Sequence, residues 1–163
     1  MRRLGVLVVE DEAEVRDALV RDLAPFAPIT RIEAAQSADD AREAIAYLDA
    51  AGCPLALVLA DHRMPGQSGV AFLVDLHADP VTRAARKVLV TGQAGLADTV
   101  QAVNEAGLDH YIAKPWSPEE LTAVVRAQLT EFVLAEVDDV LPYVAVLDGP
   151  RLLEAARGRF ADR

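Results

Sequence analysis

Five short apolar runs, each followed by a stretch with helical spacing, limit what this chain can fold into more than any other feature. The runs are Leu4–Val9, 29–35, Leu55–Ala60, 87–91 and 109–113. Their length and β-branched content read as strands, the third the most apolar and the second the weakest. The intervening stretches carry apolar residues on one face. Residues 12–23 present Val15, Ala18, Leu19 and Leu23 and stop at Pro25 and Pro28. Residues 38–51 follow a capping Ser37, turn Ala41, Ile45 and Leu48 inward, and stop at Gly52. Shorter helices fall at 70–77 and at 98–106, the latter closed by Gly107. The last begins at Ser117-Pro118-Glu119-Glu120, with serine at the N-cap, proline at N1 and glutamate at N3. It carries Leu121, Val124, Val125, Leu129, Phe132 and Val133, and reaches 136.

Five β–α units in succession predict an α/β fold, a doubly wound parallel sheet with helices on both faces. Right-handed crossovers leave few strand orders, and 2-1-3-4-5 is the one expected here. Ligands of such sheets bind beyond the carboxyl ends of the strands. The residue after each strand is therefore where chemistry is to be sought.

Composition narrows the class of partner. The 163 residues are 52% hydrophobic and 26% charged, with a formal net charge of −10, so the chain is globular and acidic. An acidic surface repels the phosphate backbone, so no direct DNA binding is expected. The single cysteine, Cys53, allows no internal disulfide and reads as a small half-buried residue. No run approaches the roughly 18–20 apolar residues of a membrane span, and the apolar run after Arg2-Arg3 is too short for a signal peptide. A cytoplasmic protein without membrane contact is expected.

The strand ends hold the chemistry. The first strand is followed by Glu10-Asp11, the third by Asp61, the fourth ends in Thr91, and the fifth is followed by Lys114-Pro115. Taken singly, each has an ordinary reading: acids at a helix start, a turn aspartate, a strand-end threonine, a common dipeptide. Together in one crevice, three carboxylates repel one another, and a divalent cation relieves that repulsion. Hard oxygen donors with open water positions suit Mg²⁺. A hydroxyl and an ammonium beside them make sense when a phosphoryl group sits there too. Phosphoryl transfer needs an in-line nucleophile, Asp61, and neutralisation of the equatorial oxygens by Mg²⁺, Lys114 and Thr91.

These residues sit in Val8-Val9-Glu10-Asp11, in Leu59-Ala60-Asp61-His62-Arg63-Met64-Pro65-Gly66-Gln67-Ser68-Gly69, in Val90-Thr91-Gly92 and in Tyr111-Ile112-Ala113-Lys114-Pro115-Trp116. With them the sequence resembles the receiver domains of two-component signalling over roughly 4–129. The resemblance implies that Asp61 accepts a phosphoryl group from a sensor histidine kinase or phosphotransfer protein. It implies that Glu10, Asp11, Asp61 and the backbone carbonyl of Arg63 hold Mg²⁺, and that Lys114 contacts the phosphoryl group across a cis Lys114–Pro115 peptide. Thr91 then moves toward the phosphoryl oxygen and Tyr111 turns inward. The surface of the fourth helix, fifth strand and fifth helix exchanges partners and passes the signal to a downstream protein target. Arg63 and Gln93 are the positions expected to set phosphoryl lifetime. Such a domain is a switch, not an enzyme, and catalyses only its own phosphorylation and dephosphorylation. His62 reads as a loop residue rather than a relay histidine, and Trp116 as a packing residue at the helix entrance.

The remainder, 130–163, reads as a C-terminal extension to a receiver of 1–129: a continuation of the fifth helix, an apolar run at 140–147 and a short helix after Asp148-Gly149-Pro150. From Ser117 on there are nine acids and five arginines, which again argues against DNA. The apolar run must be covered, either by folding back on the receiver or, as expected here, by a homodimer through the fifth helix and the extension. The extension lacks a compact closing element in this reading, so the chain is alternatively a receiver cut from a larger regulator with an enzymatic output domain. A flavodoxin-like carrier would need a hydroxyl- and glycine-rich loop where Glu10-Asp11-Glu12 stands. A haloacid-dehalogenase-type phosphatase would place its nucleophile after the first strand, not the third.

Overall fold

A computed structural model describes residues 1–92 and 95–163. The strands are β1 (Leu4–Val9), β2 (Thr30–Ala35), β3 (Leu55–Ala60), β4 (Arg86–Thr91) and β5 (His110–Ala113). The helices are α1 (Ala13–Asp22), α2 (Ala38–Ala50), α3 (Gly69–Ala78), α4 (Leu96–Glu105), α5 (Pro118–Glu136) and α6 (Gly149–Ala161). All strand pairings are parallel and the order is β2-β1-β3-β4-β5, as expected.

The two-residue period of the strands divides the core into two layers. Leu4, Val6 and Val8 of β1, with Leu57 and Leu59 of β3, face α1 and α5. Leu7 and Val9, with Val58 and Ala60, face α2, α3 and α4. A strand buried on both faces has no polar alternation to show, which is why β1 and β3 read as continuous apolar runs. Ser37, Ser68, Ser117 and Asp148 each accept a backbone N–H from the first turn of the helix they precede. Gly107 follows α4 with φ +62°, the left-handed conformation that suits a glycine stop.

The C-terminal segment departs from expectation. Val140, Tyr143 and Leu147 are buried in the same layer as Leu4, Phe26 and Phe132, and the Tyr143 hydroxyl donates to the Arg2 carbonyl at 2.6 Å. The apolar run thus finds cover on the chain's own core, the fold-back alternative, and no second copy is needed to bury Val140, Tyr143 and Leu147. A 3₁₀ turn at Leu141–Tyr143 lets one side of the run face inward. The last helix is longer than its sequence suggested and forms the compact closing element that the reading missed. Leu152 and Ala156 of α6 are buried. Arg159 donates to the carbonyls of Leu134, Val137 and Asp138 at 2.7–2.8 Å. The Leu134 carbonyl is in the last turn of α5, where the helix leaves it without a partner and the dipole favours a cation, and the other two lie just beyond that end. α5 itself runs through residue 129 without a break.

Candidate functional site

Parallel strands carry their carboxyl ends to one edge, and there the predicted residues meet. Glu10 follows β1, Asp61 follows β3 and Lys114 follows β5. Glu10 is fully buried and Asp61 nearly so, while Asp11 is exposed at the rim. One carboxylate oxygen of each lies within 4.8 Å of the others, the one such acid cluster among the described residues. Lys114 Nζ lies 3.1 Å from both Glu10 oxygens and 3.5 Å from Asp61 Oδ2. Burial first, and then the charge of Asp61, push the Glu10 carboxyl up to about 7, against the pull of Lys114.

A magnesium ion fits this donor set. Three hard carboxylate donors converge, two of them buried, and burial and the neighbouring Asp61 raise Glu10 to about 7, a cost that a bound cation would relieve.

Asp61 is held through the residue that follows it. The His62 N–H donates to Asp61 Oδ1 at 2.9 Å, and the His62 carbonyl accepts from Gly69 N–H at 2.8 Å. A β-carbon on Gly69 would fall 1.8 Å from the Asp61 carbonyl oxygen, so the loop 62–68 closes only on glycine. Arg63 projects to solvent from that loop. Gln93, the other position expected to govern phosphoryl lifetime, lies outside the described residues. Thr91 is buried at the end of β4. The Tyr111 ring is half-buried against the α2–α4 layer and its hydroxyl donates to the Thr91 carbonyl at 3.0 Å. The Lys114–Pro115 peptide is cis, as the resemblance implied. Trp116 is half-buried and donates to Asp22 Oδ2 at 3.0 Å, a packing residue as read from sequence.

Sequence reasoning missed the supports around the acceptor loop. Arg42 donates to Gln67 and Asp75 at 2.7 and 3.0 Å, and Gln67 donates to Asp75 at 2.6 Å. His62 Nε2 lies 3.3 Å from Asp98 Oδ2 at the start of α4. These pairs join residues far apart in sequence, and no local spacing announces them. Lys87 is also buried, donating to the carbonyls of Arg83 and Ala85 at 3.0 and 2.8 Å; desolvation lowers it to about 8. It stands at the start of β4, away from the acid crevice, and satisfies backbone there.

A doubly wound parallel sheet of order 2-1-3-4-5 with acids, a lysine and a threonine gathered at its carboxyl edge is an arrangement of the receiver-like class of α/β domains. Comparison with known proteins places the chain within that class. The model of the response regulator receiver domain matches residues 6–126. The chain is 37% identical over 127 residues to the hydrogenase transcriptional regulatory protein HoxA of Cupriavidus necator, covering 77% of this chain and 24% of that protein. It is 33% identical over 138 residues to the phosphate regulon transcriptional regulatory protein PhoB of Escherichia coli, covering 83% of this chain and 56% of that one. A CheY-like receiver domain protein of Methanospirillum hungatei superposes with a TM-score of 0.68 at 28% identity, over 80% of this chain and 96% of the other. The chain belongs to the response regulator receiver domain family of two-component signalling. It spans from a quarter to somewhat over half the length of these two curated relatives. No helix among the described residues is long and apolar enough to cross a membrane.

Proposed function

We propose that Asp61 accepts a phosphoryl group from a phosphohistidine of a sensor histidine kinase or phosphotransfer protein, and that the chain then signals by binding a downstream protein target. The observation that carries this is the convergence of Asp61, Glu10 and Lys114 from three strand ends, with Lys114 Nζ 3.1 Å from Glu10 and 3.5 Å from Asp61. An Asp61 carboxylate oxygen attacks phosphorus, the phosphorus–nitrogen bond of the donor breaks, and its electron pair stays on the imidazole, which takes up a proton. Lys114 neutralises one phosphoryl oxygen and Thr91 donates its hydroxyl to another. Glu10, Asp11, Asp61 and the Arg63 carbonyl hold Mg²⁺, which when bound supplies positive charge to the remaining oxygen. Arg63 and Gln93 govern access of the water that ends the signal, and Tyr111 follows Thr91. The net charge of −10 supports a protein target over DNA.

The greater length of both relatives supports the second reading, in which 1–129 is the receiver of a larger regulator and 130–163 its extension toward an output domain. A homodimer through α5 and the extension would have to use Leu141, Leu153 and Phe160, which remain exposed. Light scattering with and without loading reads it.

The test is incubation with acetyl phosphate and Mg²⁺, followed by intact mass, beside an Asp61→Asn control. One added phosphate that needs Mg²⁺ and is absent from the control is the expected result. A phosphate that persists in the control sinks the assignment to Asp61.

A further inference from the structure

His62 is fixed at three points, and the third leads out of the acceptor loop. Its N–H holds Asp61 Oδ1 and its carbonyl holds Gly69. Its side chain, only 13% exposed, crosses the crevice to Asp98 in the first turn of α4, with Nε2 3.3 Å from Oδ2. The ring's Nδ1 is buried with no partner among the described residues, so the approach of Nε2 to Asp98 is the polar contact by which the ring is placed. A buried imidazole that leaves one nitrogen unpaired is held in place by the contact of the other.

We propose that His62 is a positioning residue that clasps the first turn of α4 to the acceptor, so that the state of the Asp61 carboxylate is transmitted to α4 through the His62 backbone and ring. The inference rests on the reading of Asp61 as phosphoacceptor. The physical chain is short. Forming the aspartyl phosphate changes the charge and direction of the group that accepts the His62 N–H. His62 is also tied to Gly69 through its own carbonyl in the next peptide unit, and the loop has no room to yield there, since a β-carbon on Gly69 would already meet the Asp61 carbonyl. The side chain is the remaining outlet, and it ends on Asp98. This route runs from β3 to α4 and is separate from the Tyr111 hydroxyl's bond to the Thr91 carbonyl, which runs from β4 to β5.

The experiment uses the full chain loaded with acetyl phosphate and Mg²⁺, with occupancy read by intact mass and hydrogen–deuterium exchange read over 96–105 and 110–113. In the wild type, loading changes exchange in the first turn of α4 several-fold. In His62→Ala and in Asp98→Ala, compared at equal measured occupancy, that change falls below twofold, while β5 still responds. The double variant loses no more than either single one. His62→Gln, which keeps an N–H able to reach Asp98, retains most of the response. His62→Ala leaves the α4 sequence intact, which separates the clasp from the loss of an acid at a helix start. A full α4 response in His62→Ala overturns the proposal, as does a loaded wild type whose α4 does not respond. Failure of the wild type to gain phosphate overturns instead the reading of Asp61, and shows in the mass before any exchange is measured.

Discussion

Gly69 and Asp61 approach so closely that a single methyl group on the former would sit 1.8 Å from the carbonyl oxygen of the latter. The contact closes the acceptor loop at its root, with Ser68 capping α3 at the same point. It makes the loop's geometry a property of backbone rather than of the side chains along it.

Gly69→Ala is therefore expected to fail in one of two visible ways. Relieving the overlap requires a backbone shift, at a cost of about 1–3 kcal/mol or more for an overpacked site. Urea unfolding should show the loss, and phosphoryl uptake from acetyl phosphate should fall with it. Wild-type uptake at wild-type stability would show that the loop tolerates what the geometry forbids.

Lys114→Met should abolish most uptake while leaving Asp61 in place. It removes the one ammonium beside Asp61 and Glu10. Loss of a preorganised charge at the transferred group costs about 100-fold or more in rate. Initial rates of uptake measure it; a loss of under threefold would make Lys114 a structural counter-charge only.

The pH dependence of stability has a definite sign at Glu10. Its carboxyl is raised from 4.5 to about 7, so between those values the folded state holds a proton that the unfolded state has released. The contribution of Glu10 is full below its ordinary value and is lost as pH rises through about 7. Without added metal, wild-type stability relative to Glu10→Gln should fall across that window and level off above it. Thermal melts at several pH values give the difference curve. Mg²⁺ should raise the wild-type midpoint more at pH 8 than at pH 6, because at pH 6 a proton competes for Glu10.

Arg159→Ala should lower stability by about 1–2 kcal/mol, since three carbonyls in and just after the last turn of α5 lose a charged donor and regain only water. Ending the chain at 136 should cost far more, because Leu4, Phe132 and Val133 lose Val140, Tyr143 and Leu147 as neighbours in one layer. Uptake by Arg159→Ala should match the wild type, the acid crevice lying at the other end of the strands. An unchanged urea midpoint for the shortened chain would make the extension a free appendage.

The strands, their order and the crevice residues were legible because each rests on a local signal: a β-branched run, a cap, an acid at a strand end. Parallel pairing then does the assembly, bringing Glu10 and Lys114 together across 104 positions without any sign of it in the sequence around either. What escaped was non-local by nature. The cover for Val140, Tyr143 and Leu147 is the first strand and α5, and nothing near residue 140 says so. Periodicity failed there as well, because a 3₁₀ turn breaks the helical spacing that would have marked an inward face. The contacts that support the 62–68 loop (Arg42 and Asp75 on helices, Gln67 in the loop itself, Asp98 at the start of α4) are made by polar residues indistinguishable in sequence from ordinary solvated ones.

Lys114 gives the crevice a cation of its own, leashed to the chain. An acid pocket that could fold only around a captured ion would be unfolded whenever that ion was scarce, and its structure would report metal supply. Here the leashed ammonium offsets part of the repulsion, and a proton on Glu10 offsets more. The frame can then stand without an ion, and on the function proposed above ion binding and group acceptance would change the molecule's message without first having to build the molecule.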